Sequence, residues 1–214
     1  LSDLKRTARS GCSGAVVMNA NPFTLGHRYL VEAAAAACDT LHLFVLSEDA
    51  SLVPFPVRME LVRQGTADLP NVILHESGPY LISEATFPSY FLKDSEAAIE
   101  AHARLDAAIF ARIAEALGIR KRFVGEELTS TVTARYNAVM EEELPKSGID
   151  LEIIPRKAAD GRLISASTVR AALQTGDWDT LKAMLPETTL AYFQSAQAQP
   201  VLERIRHAKN VIHY

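Results

Sequence analysis

Cysteine is scarce in this chain: 214 residues carry only Cys12 and Cys38. Two thiols make no disulfide framework, and they fit a reduced, cytoplasmic protein. A basic excess is missing as well. Lys and Arg number 22 against 26 Asp and Glu, a formal charge of −4. That argues against nucleic acid as the main partner, because binding a phosphate backbone leans on clustered cations. No apolar run approaches the roughly 20 residues that span a membrane. The alanines of 33–37 sit in an amphipathic pattern, and the amino end reads as carrying no secretory signal. A hydrophobic share of 48% and a charged share of 22% are ordinary for a globular protein, and this length suffices for one sizeable core.

Short apolar runs alternate with helical patterns. "SGAVVM" (13–18), "TLHLFVLS" (40–47), "NVILHE" (71–76), "KRFVGE" (121–126) and "IDLEIIP" (149–155) read as buried strands. Between them, 26–38 reads as a helix with Leu30, Ala33, Ala34 and Ala37 on its buried stripe, and a second helix begins near Pro56 and stops before Pro70. Residues 94–118 form a long helix that opens on Asp-Ser and closes on Gly, and Pro145 ends another that begins at 131. The remainder is helical, with weaker patterning over 199–214 whose placement stays open. This alternation predicts a Rossmann-like open parallel sheet of about five strands, with helices on both faces and a helical carboxyl-terminal part. The expected divisions are a lead-in over 1–13, one catalytic unit over 14–195 and a tail over 196–214. Ligands in such sheets bind beyond the carboxyl ends of the strands, near a switch in strand order.

The link after the first strand, "NANPFTLGH" (19–27), has more polar and conformationally special residues than a strand-to-helix connection requires. Thr24 and His27 lie three apart at a helix start and so share one side of its first turn. Gly26 removes a side chain between them. The N–H groups of that turn favour an anion, and His27 can donate to a phosphate oxygen and stabilise charge that builds up in displacement at phosphorus. The plainer reading makes Thr24 an N-cap and His27 a surface residue. A second helix start, "ISASTVR" (164–170), follows the fifth strand. Ser165, Ser167 and Thr168 supply hydroxyls and amides, and Arg170 adds a cation one turn in. Either serine alone could be a plain cap. Two phosphate-type helix starts after strands of one parallel sheet favour the functional reading.

The two motifs resemble those of the nucleotidylyltransferase superfamily. Together with "MNANPFTLGHRYLVE", "GTADLPNV", "ATFPSYFLK", "RFVGEE" and "IPRK", in this order and spacing, the chain resembles the catalytic domain of the citrate lyase ligase family from Gly14 through Phe193. Ala20 departs from the Cys found there in many members. Longer members carry an acetyltransferase-like domain upstream, so a chain that opens on Leu1 is expected to be part of a longer polypeptide. The resemblance implies that acetate and ATP give acetyl-adenylate and pyrophosphate, and that acetyl then passes to the prosthetic-group thiol of the citrate lyase acyl carrier subunit. Magnesium is expected to bridge phosphate oxygens.

Carried over by position, the resemblance makes Thr24, His27, Ser167 and Arg170 the catalytic set. Ser165, Ser167 and Thr168 hold the β- and γ-phosphates, beside Arg170 and after Ile164. Asn19 and Asn21 contact phosphate or acceptor, with Pro22, Phe23 and Gly26 in the same loop. Gly125, Glu126 and Glu127 fall at ribose and adenine, and Arg156 and Lys157 could meet the triphosphate. Lys93 and Arg58 are weaker candidates. His42, His75 and His102 have no metal-ligand spacing, and Asp160-Gly161 reads as a turn. Three rivals stand beside the ligase: a nucleotidylyltransferase acting on nicotinamide mononucleotide or phosphopantetheine, a non-catalytic ATP sensor, and a tRNA synthetase fragment. The last lacks a KMSKS-like loop.

Overall fold

A computed structural model describes residues 11–83, 86–88, 96–126, 130–159 and 162–209. Strands β1 (Ser13–Met18), β2 (Thr40–Val45), β3 (Val72–Glu76), β4 (Ile119–Gly125) and β5 (Asp150–Ile154) form one parallel sheet in the order β3-β2-β1-β4-β5. Between them run α1 (Leu25–Ala36), α2 (Phe55–Gly65), α3 (Glu96–Leu117) and α4 (Thr131–Glu143). The chain goes outward from β1 to β3, then returns to β1's other side at β4. The switch in strand order therefore lies between β1 and β4, where a ligand crevice is expected. Pairing of β1 with β2 continues to Met18↔Val45, whereas pairing with β4 ends at Val16↔Phe123. The two central strands thus part before their ends.

Each face of the sheet carries its own core. Val16, Phe23, Val31, Leu43, Leu61 and Phe123 pack under α1 and α2, while Phe44, Phe110, Ile113, Tyr136 and Met140 pack with α3 and α4. Gly14 lets the sheet close here, since a Cβ on it would lie 2.5 Å from the Phe123 ring. A third cluster unites α5 (Ala166–Thr175), α6 (Trp178–Met184), α7 (Glu187–Gln194) and α8 (Gln199–His207) with Leu52, Val53 and Ile164.

The sequence expectations shift in a few places. Helix α1 ends at Ala36, so Ala37 is its exposed C-cap and the buried face is Val31, Ala34 and Ala35. Strand β4 begins at Ile119 because Ile119 pairs with Ser13. The stretch of open placement supplies α8, which buries Val201, Leu202 and Ile205. A small antiparallel ribbon pairs β6 (Ala158–Ala159) with β7 (Arg162–Leu163), strands too short to leave a periodic trace. Asp94 and Ser95, read as the start of the long helix, lie outside the described residues, as do Lys93 and the Asp160-Gly161 turn. No helix among the described residues is long and apolar enough to cross a membrane.

Gly65 provides a test of the packing that positions the first loop. In an open helix Gly→Ala favours folding by about 1 kcal/mol. Here the added Cβ would lie 2.4 Å from Phe23 Cε1, in a fully buried ring next to Thr24. Gly65→Ala is expected to lower the unfolding free energy by about 1–3 kcal/mol in urea titrations, and a gain would contradict this packing.

Candidate active site

The β1–α1 loop is held by its carbonyl groups. Arg58, fully buried on α2, donates from Nη1 to the carbonyls of Asn19 and Leu46 at 2.8 Å each. It also donates to Glu48 O (2.8 Å) and Val53 O (2.9 Å). Arg170, buried on α5, donates to Asn21 O at 2.7 Å. Guanidinium suits this duty because its rigid fork presents five donors. Burial pulls both groups down to about 10, so both remain cations at neutral pH. The side chains of the loop join in: Asn21 Oδ1 accepts from Val53 N–H at 3.0 Å, and Asn19 Nδ2 donates to Ser51 Oγ at 2.9 Å. The backbone so held has Ala20 at φ 51° and a cis Asn21–Pro22 bond.

The loop delivers Thr24 as the N-cap of α1, and His27 closes a reciprocal cap with it. His27 N–H donates to Thr24 Oγ1 at 3.3 Å, and Thr24 N–H donates to His27 Nδ1 at 3.1 Å. A backbone N–H can only donate, so Nδ1 is an acceptor and the neutral ring carries its proton on Nε2. Desolvation, with Arg156 and Arg170 nearby, lowers His27 to about 4. The Phe23 ring, itself fully buried, stacks on the imidazole at 5.9 Å and 18°. His27 is thus both cap and positioned N–H donor, and the two readings of it are not exclusive.

The second motif meets the first directly. Ser165 caps α5 by accepting from Thr168 N–H at 3.1 Å, and its hydroxyl lies 3.0 Å from Ser167 Oγ and 2.7 Å from Thr168 Oγ1. A Cβ on Gly26 would sit 3.4 Å from Ile164 O, an ordinary van der Waals contact, so the two helix starts lie side by side. On the third side, Arg156 Nε donates to Glu126 O (2.8 Å), Glu126 N–H donates to Ile154 O (2.9 Å), and Lys157 Nζ lies 5.6 Å from the Tyr29 ring. Gly125 ends β4 with open space around its Cα. Pro22 and Phe23 are buried, and the Asn21 side chain serves the loop itself. Glu127 lies outside the described residues.

Sequence reasoning missed Arg122, the last of three consecutive cations (Arg120, Lys121 and Arg122) in β4, and Ser51, the partner of Asn19. His42 and His75 are buried together, Nδ1 to Nε2 at 2.9 Å. Two adjoining helix N-termini, a neutral imidazole donor and the guanidinium groups of Arg156 and Arg170 together present donors and positive charge of the kind an anion can use. They also suit charge that develops at phosphorus.

Residues 13–193 match the family model described as the citrate lyase ligase C-terminal domain. The chain belongs to the citrate lyase ligase family. It is similar to the [citrate [pro-3S]-lyase] ligases of Haemophilus influenzae, 49% identical over 85% of this chain and 56% of that protein, and of Klebsiella pneumoniae, 44% over 84% and 54%. The chain therefore spans about half the length of the curated relatives it matches. Solved structures share the fold at low identity. Thermotoga maritima TmcAL bound with alpha-thio ATP has a TM-score of 0.57 at 14% identity, over 89% of this chain and 57% of that one. Pantothenate synthetase from Thermus thermophilus has 0.56 at 15%, over 95% and 78%.

The state of His27 in this citrate lyase ligase domain is open to measurement. A histidine held near 4 in the fold and near 6.5 when unfolded contributes stability that is complete above 6.5 and lost as the pH falls toward 4. Unfolding free energy is expected to drop over that window, and His27→Gln should flatten the drop. Imidazole nitrogen NMR at pH 7 should show the Nε2–H tautomer. A protonated ring or the Nδ1–H form would contradict the capping geometry.

Proposed function

We propose that this chain activates acetate with ATP. A carboxylate oxygen attacks the α-phosphorus, the bond to the β-phosphate oxygen breaks, and acetyl-AMP and pyrophosphate form. The thiolate of the prosthetic group on the citrate lyase acyl carrier subunit then attacks the acetyl carbonyl, and AMP leaves with the carboxylate oxygen. The observation that carries this reading is the contact between the two phosphate-type helix starts around His27, in a chain whose 13–193 match the citrate lyase ligase model. The alpha-thio ATP bound to TmcAL, a protein of this fold, also supports a nucleotide here.

In this reading Thr24 keeps the α1 amides in place and Nε2–H of His27 donates to the α-phosphate as charge builds. Ser165, Ser167 and Thr168 take the β- and γ-phosphates, and Arg156 and Lys157 approach the triphosphate. Gly125, Glu126 and Glu127 meet the nucleoside. Arg170 adds positive charge and keeps the two motifs together. Among the described residues no group of three His, Cys, Asp or Glu side chains could hold a metal. Magnesium, in this proposal, would accompany the nucleotide and supply charge neutralisation at the triphosphate. The setting is the cytoplasm, where ATP is at hand.

Pyrophosphate release from ATP and magnesium tests the proposal, with acetate, nicotinamide mononucleotide or phosphopantetheine supplied in turn. Release should depend on acetate, and His27→Ala should lower it about a hundredfold or more. Release with a phosphate acceptor alone would move the protein to the nucleotidylyltransferases. ATP binding without turnover would make it a sensor.

A further inference from the structure

Where β1 and β4 part, beyond Val16 and Phe123, a cavity of about 100 Å³ opens. Leu30, one turn past His27 on α1, and Gly125, at the end of β4, line it on the side of the phosphate loop; Val17, Ile82, Val124 and Met140 give it apolar walls. Arg122 also lines it and is only 2% exposed. The Phe110 ring lies 4.4 Å from its guanidinium carbon, and its Nε and Nη1 are buried with no hydrogen-bond partner among the described residues. The neighbouring acid, Asp106, attracts Arg122 electrostatically but gives its hydrogen bonds to others: it accepts from Ile82 N–H (2.6 Å), the Tyr136 hydroxyl (2.6 Å) and the Thr86 hydroxyl (3.4 Å).

A buried guanidinium with unmet N–H groups costs stability unless an acceptor reaches it. Arg58 and Arg170 solve that problem with backbone carbonyls. Arg122 instead faces a cavity at the strand-order switch. We propose that this crevice is the acid pocket of the enzyme, where a short monocarboxylate binds with its carboxylate on Arg122 and its alkyl end against Val17, Val124 and Met140. The proposal rests on the acetate reading and makes Arg122 a substrate-binding residue. One carboxylate oxygen on Arg122 leaves the other for phosphorus. The apolar walls suit a short alkyl end.

The test uses the full chain and the pyrophosphate assay. Arg122→Met should raise the KM for acetate about tenfold or more and leave the KM for ATP nearly unchanged. The Tm is expected to fall as well, because Arg122 is the cation that faces the buried Asp106 carboxylate. Sodium acetate should raise the wild-type Tm above that in sodium chloride of equal ionic strength, and should not do so for Arg122→Met. An unchanged acetate KM with a lowered Tm would make Arg122 purely structural and overturn the proposal. Should Arg122→Met fail to fold, Met140→Phe decides by narrowing the cavity without touching the charge. A rise in acetate KM alone supports the pocket, and no change overturns it. If the wild type releases no pyrophosphate with acetate, the adenylation reading fails separately. The Tm comparison then decides the pocket: an acetate-specific rise that Arg122→Met abolishes supports it, and no rise overturns it.

Discussion

Buried guanidinium groups hold the β1–α1 loop by its carbonyl oxygens, and the site follows from that grip. Arg58 reaches up from α2 to Asn19 O and ties in Leu46, Glu48 and Val53, so the ends of β1 and β2 and the segment before α2 share one hub. Arg170 does the same for Asn21 O from α5, 149 positions away in sequence. Since Arg170 belongs to the second motif, the bond that secures the first loop also brings the two helix starts together. The loop can then keep the left-handed Ala20 and deliver Thr24 and His27 in one orientation.

The same arrangement sets the electrostatics. A chain of net charge −4 concentrates Arg156 and Arg170 around one imidazole and keeps that imidazole neutral. A histidine cation would attract phosphate more strongly at long range. A neutral ring whose Nδ1 is already taken offers one directed N–H, which suits a donor aimed at charge as it develops. In the proposed reaction the attraction would be left to the guanidinium groups, which are permanent cations. Desolvation, the largest cause of the shift at His27, would in that reaction separate the tasks of binding and of directed donation.

The sheet was legible because its strands are apolar runs punctuated by Gly, Pro and polar turns; the order β3-β2-β1-β4-β5 also follows the usual logic of parallel crossovers. Thr24, Gly26, His27 and the Ser165–Arg170 stretch could be singled out because caps and anion-binding turns depend on local spacing. What could not be read was how long-range contacts use a residue. Asn21 and Phe23 look like ligand contacts in a polar loop, yet one satisfies Val53 N–H and the other is core. Arg170 reads as a cation of the phosphate site and Arg58 as a weaker candidate, and Arg122 is not singled out at all; all three are buried, because their partners are carbonyls, a ring and a cavity that only the folded chain creates. Ala37 looked buried by periodicity alone, but the helix ends before it.

The central claim is that the two helix starts act as one anion receptor. Amide NMR during titration with inorganic tripolyphosphate tests it most directly. The amides of Gly26 and His27 should shift together with those of Ser167 and Thr168, along one isotherm with one affinity. Shifts confined to one motif, or two separate affinities, would contradict the account.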